Sequence, residues 1–265
     1  MIKMITLLRI EWLKTKRTFF RFFLLVFPVA FALSISWKIS SLGMKNEIEK
    51  DVFMLRNVFY TFFFPFLISF IPSYLIGYES IHGENAFVNV KYSKSKLVFS
   101  KVLFSLLCLS WILFAIDLIY FFTIKHLGIH IQYGILFFSS VIPLLGSFPA
   151  VLLHVLITFK WRMGLSLAIG TVGALLSEMI NAGLGYKMWY IFPWSIPSTF
   201  NTYSIVLLKN IKINDHVTNL LSQFSPIQIY LGSIMNGITT SVIYSAILLL
   251  MSLHLARSLE FKETL

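Results

Sequence analysis

Apolar runs of about 20 residues dominate the chain, separated by short polar stretches, and that length is what a helix needs to cross the hydrocarbon core of a bilayer. The pattern predicts membrane spans from about Phe19 to Trp37, Asn57 to Gly77, Val102 to Ile124, Gly134 to Phe159, Met163 to Ala182 and Ile227 to Leu255. Pro28, Pro65, Pro72, Pro143 and Pro149 fall inside these spans and are candidate kink points. The connections are residues 38–51, 78–101 and 125–133, the turn Lys160-Trp161-Arg162, and residues 183–226. This predicts an all-α polytopic membrane protein with six transmembrane helices, forming a single domain over residues 1–265.

Residues 1–18 have a different pattern. Met1, Met4, Ile5, Leu8 and Trp12 recur at helical spacing, with Lys3, Thr6, Lys14 and Arg17 roughly opposite. An amphipathic helix lying in the membrane interface fits this stretch, with its cations toward the headgroups. A basic flank that only sets topology is the plainer reading. A signal peptide fits less well, because the Ala30-Phe31-Ala32 site lies inside the apolar run.

Charge sets the orientation. Of the 265 residues 57% are hydrophobic and 12% charged, against about 25% charged in a typical soluble domain. The net charge of +11 would raise nucleic acid as a partner of a soluble protein, but here the cations sit in loops and at helix ends, so no nucleic acid is expected. Lys and Arg are about twice as dense in the N-terminal 18 residues, 78–101, 160–162 and the tail as in the alternate loops, which puts both termini in the cytoplasm.

Candidate chemistry is sparse. Asp117 in span three and Glu178 in span five are intramembrane carboxylates, each costing about 2.5–3.5 kcal/mol on insertion scales if left in lipid. Each reads either as part of a pathway for a cationic substrate or as a carboxylate satisfied by its neighbours. His82, His126, His130, His154, His216 and His254 form no metal-binding pair, and the lone Cys108 excludes an internal disulfide and a multi-cysteine metal site. No phosphate-cradling motif, H-E-x-x-H or G-x-S-x-G occurs, so no enzymatic activity, cofactor or metal is expected in this chain. In span five Gly164, Ser166, Ala168, Gly170, Gly173, Ala174 and Ser177 permit close helix approach, within the chain or at a subunit interface. Tyr186, Trp189, Tyr190, Phe192 and Trp194 make either an aromatic belt or a partly re-entrant platform at the outer side, and Pro193 and Pro197 argue against a continuous helix there.

The largest polar segment between cytoplasmic ends of spans is Tyr78–Lys101, with Glu79, Glu84, Lys91, Lys94, Lys96 and Lys101. It is the most extensive surface on which a cytoplasmic protein could act. Glu11, Lys14, Lys16 and Arg17 resemble the E-x-x-K-x-K-R pattern of the elbow helix in type-2 ABC exporter permeases. Glu84, the run Ser93-Lys94-Ser95-Lys96, and Lys101 are similar to that family's first cytoplasmic loop, with Tyr92 near the place of its proline. Pro193-Trp194-Ser195-Ile196-Pro197 and the chain length resemble the lantibiotic immunity permease subunits within that family.

The resemblance implies a multi-pass permease subunit in a bacterial plasma membrane, part of an ATP-driven exporter. Its partners would be ABC ATPase subunits that bind ATP and Mg, a second permease subunit, membrane lipid and an amphipathic peptide substrate. It implies that Glu79, Glu84, Lys91, Lys94 and Lys96 form an ATPase-coupling loop. Asp117, Glu178, Trp189 and Trp194 remain candidates for the substrate pathway. Two other readings stand beside it: a secondary transporter relaying protons through Asp117 and Glu178, and an immunity or scaffold protein that binds without transporting.

Overall fold

In a computed structural model the described residues are 4–42, 48–81, 94–129, 133–184, 188–209 and 226–261. Their regular secondary structure is entirely helical. The helices are α1 (Met4–Lys14), α2 (Phe19–Leu42), α3 (Ile48–Val58), α4 (Phe64–Ile81), α5 (Lys94–His126), α6 (Tyr133–Gly146), α7 (Phe148–Met179), α8 (Ser195–Lys209) and α9 (Pro226–Phe261). Five segments are long and apolar enough to cross a membrane: Phe19–Ser41, Val52–Glu79, Ser95–His126, Phe148–Leu184 and Gly232–His254. They fit a multi-pass membrane protein.

A ladder of aromatic pairs joins α2 to the second segment. Phe20 stacks on Tyr74 at 5.0 Å between ring centroids, Phe23 meets Phe70 at 4.9 Å, Phe27 meets Phe63 at 6.3 Å and Phe31 meets Phe59 at 5.0 Å. Spacings of three or four residues, and of seven between Phe63 and Phe70, put the rings on facing stripes of two antiparallel helices. Each such pair contributes about 0.5–1.5 kcal/mol beyond its buried area.

The second segment begins earlier than hydropathy alone predicts. It runs from Val52 rather than Asn57, so that Arg56 lies inside the bundle and fully buried. A π-helical stretch, Phe59–Phe63, joins α3 to α4 immediately before Pro65. Proline lacks the N–H that would close the ladder there, and a widened turn absorbs the defect.

The span expected from Gly134 to Phe159 is two helices meeting at Ser147, with Pro149 in the first turn of α7. α7 is itself broken at Arg162, whose φ is 75°. His154 Nδ1 lies 2.9 Å from Ser166 Oγ. A straight helix would hold residues twelve apart at about 18 Å. The chain therefore reverses at the Lys160-Trp161-Arg162 turn, and the two arms pack side by side against α4. There Ser73 Oγ bonds both Ser166 Oγ at 2.7 Å and Thr158 Oγ1 at 3.1 Å. Close approach is built in, since a Cβ on Gly170 would sit 2.0 Å from Ser69 Oγ.

Residues 183–226, expected as an external loop, contain α8. Ile196, Phe200 and Tyr203 recur at i, i+4 and i+7 and are buried with Trp189 and Ile180 in a second apolar cluster. Pro197 is compatible with this helix because it falls in the first turn, where no intrahelical N–H bond is lost. At 14 and 15 residues, α6 and α8 are about 21–23 Å long, shorter than the hydrocarbon core.

Candidate functional site: two buried ion clusters at the ends of one helix

Where α1, the end of α4 and the start of α5 meet, four charged side chains converge. Lys101 Nζ lies 2.6 Å from Glu79 Oε1 and 3.2 Å from Glu11 Oε2. Lys14 Nζ lies 2.7 Å from the same Glu79 oxygen and 3.8 Å from Glu11 Oε1. Lys101, Glu11 and Glu79 are buried, and Lys14 forms the partly open side. Two cations balance two carboxylates, which is what makes burial of these charges tolerable.

This junction fixes the rotation of α1. Leu7, Glu11 and Thr15 face inward, while Ile5, Trp12 and Leu13 face outward. Of the predicted apolar stripe, Ile5 and Trp12 are exposed, whereas Met4 and Leu8 are half-buried, Leu8 packs against the core and the Trp12 ring lies 6.4 Å from that of Phe104. The chain then turns at residues 15–18, where Arg17 takes φ 66°. Arg21 folds back over the Trp12 ring, 4.2 Å from its centroid, and donates to the Trp12 carbonyl at the end of α1. A cation at a helix C-terminus satisfies carbonyls the helix leaves free.

The second cluster lies 16 residues further along α5, about 24 Å by helical rise. Arg56 Nη2 donates to Asp117 Oδ1 at 3.0 Å and to the Leu136 carbonyl at 2.9 Å. The guanidinium also donates to Ser139 and Ser140, and Ser140 donates to the other Asp117 oxygen. Tyr60 closes the ring, donating to Ser140 at 2.9 Å. The cluster ties α3, the π-helical turn, α5 and α6 together. Asp117 is therefore held by Arg56 inside the chain. Arg56 is the residue sequence reasoning passed over, and the signal was an arginine one turn before Tyr60 with an otherwise unpartnered aspartate in span three.

The other candidates are dispersed. Glu178 is exposed on α7 and has no hydrogen-bond or ion-pair partner among the described residues. It shares an outward face with Gly164, Ala168, Thr171 and Leu175, whereas Ser166, Gly170, Gly173, Ala174 and Ser177 turn inward. The small residues of span five thus serve mainly packing within the chain. Trp189 is buried against Phe200 and Tyr203. Trp194 seats on Gly173, where a Cβ would come within 2.5 Å of its ring, and its indole N–H donates to His154 Nε2 at 2.8 Å. Because an indole can only donate, His154 carries its proton on Nδ1, facing Ser166. Lys96 is exposed near the start of α5, while the side chain of Lys94 and all of Glu84 and Lys91 lie outside the described residues. Among the described residues no group of His, Cys, Asp or Glu could hold a metal ion.

No family model matches the chain, and neither does any curated protein or solved structure.

Proposed function

We propose that the chain is the membrane-spanning permease subunit of an ATP-driven exporter, expelling an amphipathic cationic peptide. The observation that carries this reading is the junction of Glu11, Lys14, Glu79 and Lys101. It binds an interfacial N-terminal helix to the two helix ends that flank the polar segment 82–93, so a push on that segment from the cytoplasm moves α1, α4 and α5 together. The chain carries no phosphate-cradling motif, so energy would arrive by contact from separate ATPase chains. α5 would carry the displacement to the Arg56–Asp117 cluster about 24 Å away.

On this reading the reversal at Arg162 makes six crossings of the five apolar segments, with both termini, the 78–101 segment and the Lys160–Arg162 turn in the cytoplasm. Maleimide labelling tests this in a background with Cys108→Ala. Lys160→Cys is expected to label only after the membrane is opened, and His126→Cys in intact cells. Labelling of Lys160→Cys from outside would reverse the orientation.

The exposed face of α7 suits a second permease subunit at its small-residue end and the substrate at Glu178. A carboxylate left against lipid alone is unfavourable, so water, a cation or protein is expected to cover it. Glu178→Gln is expected to slow efflux of a cationic peptide about two- to fivefold, the effect of about 0.5–1 kcal/mol for a partly solvated charge pair. Unchanged efflux at normal protein levels would remove Glu178 from the pathway. The proton-relay reading gains nothing from the arrangement, since Asp117 is engaged with Arg56 and Glu178 lies apart on the outward face of α7.

A further inference from the structure

Pro28 lies inside α2, and a proline has no N–H to give the carbonyl four residues back. The carbonyl that loses its donor is that of Leu24, a buried residue. Hydrocarbon holds no water to replace that donor, so the protein must supply one. Trp111 of α5 does so: its indole Nε1 donates to the Leu24 carbonyl at 3.2 Å. An indole nitrogen only donates, and a freed carbonyl only accepts, so the two groups match. The Trp111 residue is 46% exposed, so packing alone does not fix its ring.

α2 and α5 are joined again beyond the proline, where Ser36 Oγ lies 2.8 Å from Thr123 Oγ1. The two contacts are twelve residues apart on both helices, 24 to 36 and 111 to 123. The helices therefore run parallel and in register over about 18 Å. Pro28 falls between these anchors. α5 contains no proline and is one continuous helix over Lys94–His126. The other helix that packs on α2 is irregular at the level of Pro28. Phe27 and Phe31 meet Phe63 at 6.3 and 5.0 Å, within the π-helical stretch Phe59–Phe63. Two neighbouring helices are thus interrupted at one height beside a third that is not.

Sharp bends in helices sit at prolines and π-helical turns. We propose that Pro28 is a hinge in α2 and that the Trp111 indole, bonded to the Leu24 carbonyl, holds it closed, so that the part of α2 next to α1 follows α5. Trp111 is a positioning residue in this role. The Glu11–Lys101 pair ties α1 to the same helix, so α5 holds α1 and α2 through two separate contacts, one ionic and one to a backbone carbonyl.

The test compares wild type, Trp111→Phe, Pro28→Ala and the double variant, each as the full chain in lipid nanodiscs. One readout is hydrogen–deuterium exchange of the amides of residues 24–32. The other is the distance between spin labels at Phe19→Cys and Phe99→Cys, exposed positions on α2 and α5, with Cys108→Ala throughout. Trp111→Phe keeps an aromatic ring and loses the donor. It is expected to speed exchange about tenfold, because the Leu24 carbonyl is left unsatisfied, and to broaden the label distance. Pro28→Ala restores an N–H within α2, so in that background Trp111→Phe is expected to change neither readout. A side chain that only fills space would not be rescued by a backbone N–H on another helix. The double variant is expected to fold even if Trp111→Phe alone does not. Wild-type exchange and distance in Trp111→Phe would overturn the proposal. So would equal effects of Trp111→Phe in the two backgrounds, or a double variant that fails to fold as the single variant does.

Discussion

Asp117→Leu is expected to destabilise the chain by about 3–5 kcal/mol, a large share of the 5–15 kcal/mol typical of folded proteins. The loss comes from the arginine left behind. Arg56 is fully buried, and without Asp117 its charge retains, among the described residues, hydroxyls and the Leu136 carbonyl as partners. The double replacement Arg56→Met with Asp117→Leu is expected to recover most of the loss, because exchanging a whole buried ion pair for apolar groups is often neutral or stabilising. Ser139 keeps its bond to the Leu136 carbonyl and Tyr60 its bond to Ser140 in that double variant. Denaturant unfolding in detergent micelles measures all three proteins. A single variant as stable as wild type, or a double variant no better than the single, would mean that the pair does not hold α3, α5 and α6 together.

The cluster also marks how far the sequence could be read. Hydropathy located the apolar segments, and the basic turn at Lys160–Arg162 was legible as a reversal because two cations interrupt an otherwise apolar run. Asp117 stood out for the same reason. Its partner did not, because an arginine near the end of an apolar run reads as a solvated flank unless the opposing carboxylate is known. α8 was hidden by Pro193 and Pro197, although the spacing of Ile196, Phe200 and Tyr203 carried the signal. The rotation of α1 was illegible from its own pattern. Its apolar stripe fits an interfacial helix, but nothing in that stripe shows that Glu11 meets Lys101, 90 residues later. Glu79 and Lys101 were visible as charges in the polar stretch after span two, but their withdrawal into a balanced cluster depends on contacts that local sequence does not encode.

Lys101→Met carries the second large effect. It leaves Glu11 and Glu79 side by side with Lys14 as the remaining cation near them among the described residues, and removing one partner of a buried charge group costs about 3–5 kcal/mol. α1 is expected to detach from α4 and α5, and in the proposed exporter complex peptide-stimulated ATP hydrolysis is expected to fall to its unstimulated level. Protease accessibility at residues 15–18 reports the detachment independently of activity. A second replacement, Glu79→Gln in the Lys101→Met background, restores charge balance between Glu11 and Lys14. It is expected to return protease resistance but not coupling, because the link between α4 and α5 stays broken. Full coupling in Lys101→Met would move the mechanical contact away from this junction.

The central claim is that this chain does no chemistry and is driven by another. Purification of the chain from native membranes in mild detergent, with mass spectrometry of everything that remains bound, tests it most directly. The expected result is a stoichiometric ATP-hydrolysing subunit in the complex, with peptide efflux in proteoliposomes that requires ATP. A chain that purifies without any nucleotide-binding partner and moves peptide only in response to a proton gradient would contradict the claim.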